Sequence, residues 1–272
     1  MSSISEIDAV TDEMGSIVAT SMSRGSATGY FAAMYLGVTR AVKLGLETGA
    51  FATPDRLVGL TTVFARRYLD AWRLREAGRP TSRSWEIAFT AAAYWRPCVL
   101  QHLLLGMNAH INLDLGIASA EVAPGAAITE LRPDFDEINT VLAGLVGSIQ
   151  AELNRISPFY RLVDEVGGPT DRTVINFSIA RARGEAWKLA TVLAAADRDS
   201  AARRIAAQDR MAGAIGEAIL RPGSAVSSGL LPIRLTELRR PAAIIEIIAG
   251  AATAPTPTVP TRAAVSRPTG PA

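Results

Sequence analysis

Residues 101–116 read QHLLLGMNAHINLDLG, and the placement of this stretch decides the fold. Its apolar residues have helical spacing, and no Lys, Arg or Glu occurs between Arg96 and Glu121. A surface helix shows one apolar face and one charged face, so this helix is expected to be buried on most sides. Yet it carries Gln101, His102, Asn108, His110, Asn112 and Asp114, and both histidines of the chain lie in it. A buried polar group without a partner costs roughly 1–3 kcal/mol, and a buried charge costs more. These groups must be satisfied by each other, by a metal, by water or by a ligand.

On an ideal helix, at roughly 100° per residue, the polar groups split into two stripes. His102, His110 and Asp114 fall within an arc of about 120°, whereas Gln101, Asn108 and Asn112 cluster within about 40° on the other side. His110 and Asp114 stand at i, i+4, one turn apart on one face. Such a pair serves chemistry in two ways. Imidazole and carboxylate can share one divalent ion (Zn, Fe or Mn) with further ligands from other helices. Alternatively, the carboxylate orients the imidazole and raises its basicity, making a general base. His102, two turns earlier, is a candidate third ligand or acid. The plain alternative is a His–Asp hydrogen bond that only satisfies itself. Asn108 and Asn112 either bridge to the backbone of neighbouring helices or hold a ligand.

Working outward, helical signals dominate and strand signals are nearly absent. The spacing predicts helices over about 4–22, 30–48 and 54–76, the last opened by Thr53-Pro54 with proline in the first turn. Gly49 and Gly78 fit helix ends. Ser82 or Ser84 caps a helix at about 84–94. Asp134-Phe135-Asp136-Glu137 reads as a capping box with Asp134 as N-cap, opening a helix to Ile156. Thr170 or Asp171 caps a long helix to about 196, and further helices follow at about 199–220 and 242–248. The end of the chain, rich in Ala, Thr and Pro, reads as a disordered tail. The expectation is a single all-α, bundle-like domain over 3–248 with a tail over 249–272.

Bulk properties narrow the class. The chain has 272 residues, of which 49% are apolar and 20% charged, with a net charge of +2. Those values suit a globular protein with a sizeable core. The basic doublets are scattered, which argues against a nucleic-acid stripe. Cys98 is the single cysteine, so no intrachain disulfide is possible. No secretory signal is visible, and no apolar run approaches the roughly 20 residues that span a bilayer. A cytoplasmic protein is expected; the oligomeric state is not legible.

Secondary candidates lie elsewhere. Asp136 and Asn139 share a face after the capping box, so Asp136 is a candidate to assist the central helix. Arg183 and Trp187 share a face and suggest stacking or a site wall. Asp164-Glu165 either is solvated or supplies a carboxylate, and Asn176 shares the Arg183 face. One of Arg66 and Arg67, on an otherwise apolar helix, must point inward or toward a neighbour. The Glu-x-x-His pairs of di-iron bundles, a Walker loop, a Gly-x-Ser-x-Gly elbow and a Rossmann fingerprint are all absent.

The run Asn108-Ala109-His110-Ile111-Asn112-Leu113-Asp114-Leu115-Gly116 resembles the signature of an uncharacterised bacterial family of all-helical proteins of unknown function. Phe64-Ala65-Arg66-Arg67-Tyr68-Leu69, Ile156-Ser157-Pro158 and the segment Arg183 to Trp187 are similar as well, so the resemblance covers roughly residues 5–240. It implies a helical fold and no particular activity. From the residues themselves, the expected function is a small-molecule enzyme of hydrolase or lyase type. Its catalytic residues would be His110, Asp114 and His102, which are also the metal ligands if one divalent ion is bound. Asn108, Asn112, Asp136 and Arg183 would contact the ligand. The alternatives are a non-catalytic binding protein for an apolar or amphipathic molecule and a purely structural polar core.

Overall fold

In the computed structural model, which describes residues 4–51, 53–138, 153, 155–157, 159 and 179–253, the 101–116 stretch forms the inner rod of an all-helical protein. Five helices lead up to and into the rod: α1 (Ile4–Arg24), α2 (Thr28–Glu47), α3 (Pro54–Glu76), α4 (Arg83–Ala91) and α5 (Val99–Ala109). The rod continues through a π-turn (His110–Asp114) into α6 (Leu115–Val122). Residues 128–138 are helical (α7), followed by α8 (Ile179–Ala194), α9 (Arg198–Leu220), α10 (Ser224–Thr236) and α11 (Pro241–Thr253). No strand occurs among the described residues.

The rod is enclosed because it has no charged face to present to water. Helices α2 and α4 pack on α5, α3 and α8 on α6, and α9 runs along α5 and the π-turn. Close approach depends on glycine. A Cβ at Gly116 would sit 2.8 Å from the Ala186 carbonyl oxygen of α8, and one at Gly106 would overlap Phe31 of α2. Helix α11 covers α2, with Ile244, Ile245 and Ile248 at most 1% exposed.

Local signals account for most boundaries. Ser82 caps α4 by accepting from the Trp85 N–H at 3.3 Å, and Asp197 caps α9 by accepting from Ser200 N–H at 2.9 Å. Gly25, Gly49 and Gly78 take φ of 60°, 70° and 65° at helix ends, where residues with a Cβ are disfavoured.

Three expectations change. Asp134 is not an N-cap, because the helix it was expected to open is already helical from 128; its buried carboxylate instead accepts from the Thr53 hydroxyl. Thr53 therefore precedes α3 as expected, but spends its hydroxyl across the interface. Helix α10, which carries Pro232 inside it, is unanticipated. Helix α11 runs to Thr253, beyond Ile248. The capping of a helix at Thr170 or Asp171 and the 254–272 tail lie outside the described residues. No described helix is long and apolar enough to cross a membrane.

Candidate functional site

The π-turn is the departure from regularity that organises the site. At His110–Asp114 the Leu115 N–H donates to the His110 carbonyl, five residues back. Single π-turns inside α-helices are uncommon and frequent at functional sites. Its two end residues, His110 and Asp114, are both 2% exposed.

Asp114 is held by three donors from three directions. Oδ2 accepts from Trp85 Nε1 of α4 at 2.8 Å and stands 3.2 Å from His110 Nδ1. Oδ1 accepts from Arg67 Nε of α3 at 3.0 Å. Of the two arginines flagged on α3, Arg67 is the one turned to the rod, while Arg66 reaches Glu6 at the surface. The Arg67 side chain is 32% exposed, so its guanidinium links the buried carboxylate to solvent.

Rings wall in His110. Its imidazole lies flat on Phe64, centroids 3.6 Å apart and planes 7° from parallel. Tyr35 meets it edge-on at 4.3 Å, and Phe31, Tyr68 and Trp85 complete the enclosure. Burial holds the His110 pKa below its ordinary value, and the Arg67 charge adds to that, although Asp114 pulls the other way. The ring is therefore neutral at pH 7. Because the carboxylate accepts from Arg67 and Trp85, the His110 proton belongs on Nδ1, where it donates to Asp114. Nε2 is left as a bare acceptor, and it finds no hydrogen-bond partner among the described residues. The buried hydroxyl of neighbouring Tyr68 is likewise unpartnered. Burial raises the pKa of both Tyr35 and Tyr68, so their phenols keep their protons.

The other stripe has a different destination. Gln101 accepts from the Cys98 N–H at 3.0 Å and donates to the Ile219 carbonyl at 2.7 Å. Asn108 donates to the Ala212 carbonyl at 2.8 Å and accepts from Asn112 at 2.9 Å. Gln208 of α9 donates to the Asn112 carbonyl at 2.7 Å. These amides join the rod to α9, and their contacts are with protein.

The remaining candidates are not gathered at His110. His102 packs edge-on against Tyr30 and lines a separate pocket near Trp95 and Arg234. Eight residues along a helix is a rise of about 12 Å, too far for His102 and His110 to share an ion at ligand distances near 2 Å. Among the described residues, no group of three or more His, Cys, Asp or Glu side chains is placed to hold a metal. Asp136 points outward, accepting from Arg132 at 2.6 Å. Arg183 is 2% exposed, its guanidinium 4.3 Å over the Phe135 ring and donating to the Phe135 carbonyl. The arginine on Trp187 is Arg132, at 4.9 Å, rather than Arg183. Burial lowers the Arg183 pKa to about 10, and its Nε has no partner among the described residues. Asn139, Asp164, Glu165 and Asn176 lie outside the described residues. Missing from the sequence reading were Phe31, Tyr35, Phe64, Tyr68 and Trp85, because an aromatic on a helix face reads as ordinary core. Only the spacing of Phe64, Arg67 and Tyr68 on one apolar helix hinted that they act together.

Comparison with known proteins places the chain in a family. The model of the family of unknown function DUF5995 matches residues 7–222, and the chain belongs to that family. No curated protein and no solved structure matches it.

Proposed function

We propose that this family member is a small-molecule enzyme in which Nε2 of His110 receives a proton from its substrate. The observation that carries the reading is the buried Nε2, bare among the described residues, of an imidazole whose other nitrogen is fixed by a carboxylate. An unpaired buried nitrogen costs about 1–3 kcal/mol and calls for an explanation. Its position in a π-turn points the same way.

The roles follow from the contacts. Asp114 fixes the ring and its tautomer and stabilises the imidazolium that forms on proton transfer. Trp85 and Arg67 hold Asp114 in place, and the Arg67 charge balances the carboxylate while His110 is neutral. The rings exclude water, which strengthens these interactions. Proton abstraction of this kind serves a hydrolase or lyase, and the chain would carry it out in the cytoplasm. A metal fits this arrangement less well. Asp114 already accepts three donors, so it is placed to orient His110 rather than to ligate, and an ion on Nε2 would need ligands from outside the described residues. The aromatic enclosure favours one second reading, a binding protein that uses Nε2 to anchor an apolar or amphipathic molecule.

The test is turnover of a bacterial small-molecule extract by wild type, His110→Gln and Asp114→Asn, followed by mass spectrometry. The enzyme reading predicts a compound consumed by wild type and removed about 10²–10⁴-fold more slowly by folded His110→Gln. Equal consumption by both proteins would refute it. A compound retained unchanged by wild type and lost from the variant would favour the binding reading.

A further inference from the structure

A second site lies at the other histidine. Three connections meet there: the α1–α2 turn at Gly25 and Ala27, the 92–97 segment before α5, and the α10–α11 junction. They enclose a pocket of about 240 Å³ lined by Tyr30, Trp95, His102, Arg234 and Glu237 among others. Pockets for drug-sized ligands run to roughly 300–1,000 Å³, so this one suits a molecule of one or two rings.

The polar groups are fixed in advance. Glu237 accepts from the Val99 N–H at 2.8 Å and from Arg234 at 3.2 Å, and its side chain is fully buried. Arg234 also donates from Nε to the Trp95 carbonyl, while its side chain stays 24% exposed. The guanidinium thus keeps further N–H donors and a fixed orientation, and its charge is balanced by Glu237. Burial lowers the His102 pKa to about 4, helped by the Arg234 charge and opposed by the Pro97 backbone, so the ring is neutral and one of its nitrogens is an acceptor. Above these groups, Tyr94 and Trp95 are 56% and 61% exposed, an unusual placement for two adjacent large rings.

We infer that this pocket binds a small, uncharged, planar aromatic molecule that stacks on Trp95, offers an acceptor to Arg234 and a donor to His102. Balanced charge in the pocket selects against a net ion, and the exposed rings select for a flat partner. Two of the three polar side chains, Arg234 and Glu237, come from beyond residue 222, where the family match ends. The pocket is therefore a feature of this chain's C-terminal helices laid against the family domain. Nothing in it depends on His110.

Because the chain has two histidines, each imidazole reports one site in a ¹H–¹⁵N spectrum. Full-length protein is titrated with 4-hydroxybenzamide, 2-pyridone and indole-3-carboxamide, with cyclohexanecarboxamide as the non-aromatic control. The expected result is a saturable shift of the His102 signals by at least one aromatic probe, with His110 unmoved. The control should bind more weakly, and Trp95→Ala, a change at an exposed ring, should weaken binding about tenfold. The inference is overturned if no probe moves His102 up to its solubility limit. It is equally overturned if His110 moves instead, or if Trp95→Ala binds as wild type does.

Discussion

His110 Nδ1 stands 3.2 Å from Asp114 Oδ2, and these two residues are the first and last of the π-turn that interrupts the central rod. The carboxylate also accepts from Trp85 Nε1 and Arg67 Nε. Asp114→Ala should therefore strand an indole N–H, an imidazole N–H and a guanidinium together. A loss of about 3–5 kcal/mol in denaturant unfolding is expected, with a smaller loss for Asp114→Asn. A cost below about 1 kcal/mol for the alanine variant would mean that the three donors find water instead.

Arg67 tunes the imidazole. Its positive charge disfavours imidazolium, acting in the same direction as burial. Arg67→Met should raise the His110 pKa, as read by NMR titration, and an unchanged value would remove Arg67 from the electrostatics of the site.

Acid should destabilise the protein through its histidines. Both have folded-state pKa values below the ordinary 6.5, and that of His102 is about 4. Between those values the unfolded chain binds the proton and the folded chain does not, so the stability is whole above pH 6.5 and falls as pH drops toward 4. For His102 the loss is on the order of 3 kcal/mol. Comparing denaturation at pH 7 and pH 4.5, the drop should be smaller in His102→Gln than in wild type; equal drops would contradict the burial of a neutral ring.

Two glycines should answer oppositely to alanine. At Gly116 the new Cβ would meet the Ala186 carbonyl oxygen at 2.8 Å, whereas at Gly184 nothing lies within 4 Å. Gly184→Ala should gain up to about 1 kcal/mol from helix propensity. Gly116→Ala should lose about 1–3 kcal/mol as α6 and α8 are pushed apart. Thermal unfolding of the pair checks both.

The absence of Lys, Arg and Glu between Arg96 and Glu121 was enough to place the rod at the centre, and the i, i+4 spacing was enough to pair His110 with Asp114. What supports the pair was not legible. Trp85 and Arg67 come from helices 29 and 47 residues away in sequence, and no local pattern in His110-Ile111-Asn112-Leu113-Asp114 announces a π-turn. Asp134 and Glu137 matched a cap pattern inside a helix already under way, because a cap pattern cannot show whether the preceding residues are helical. His102 shared an arc with His110 on the wheel, but a wheel discards the rise along the axis. Helix α10 has Pro232 inside it, a residue of poor helix propensity, and its buried Leu230 and Ile233 are not set apart by a clear helical period in the sequence.

The proposed proton transfer depends on which nitrogen of His110 carries the ring's proton. A ¹H–¹⁵N correlation spectrum of the two imidazoles at pH 7, assigned with His102→Gln, reads this directly. The prediction is a neutral His110 ring protonated at Nδ1, with Nε2 bare and free to accept. A ring protonated at Nε2, or an imidazolium at that pH, would contradict it.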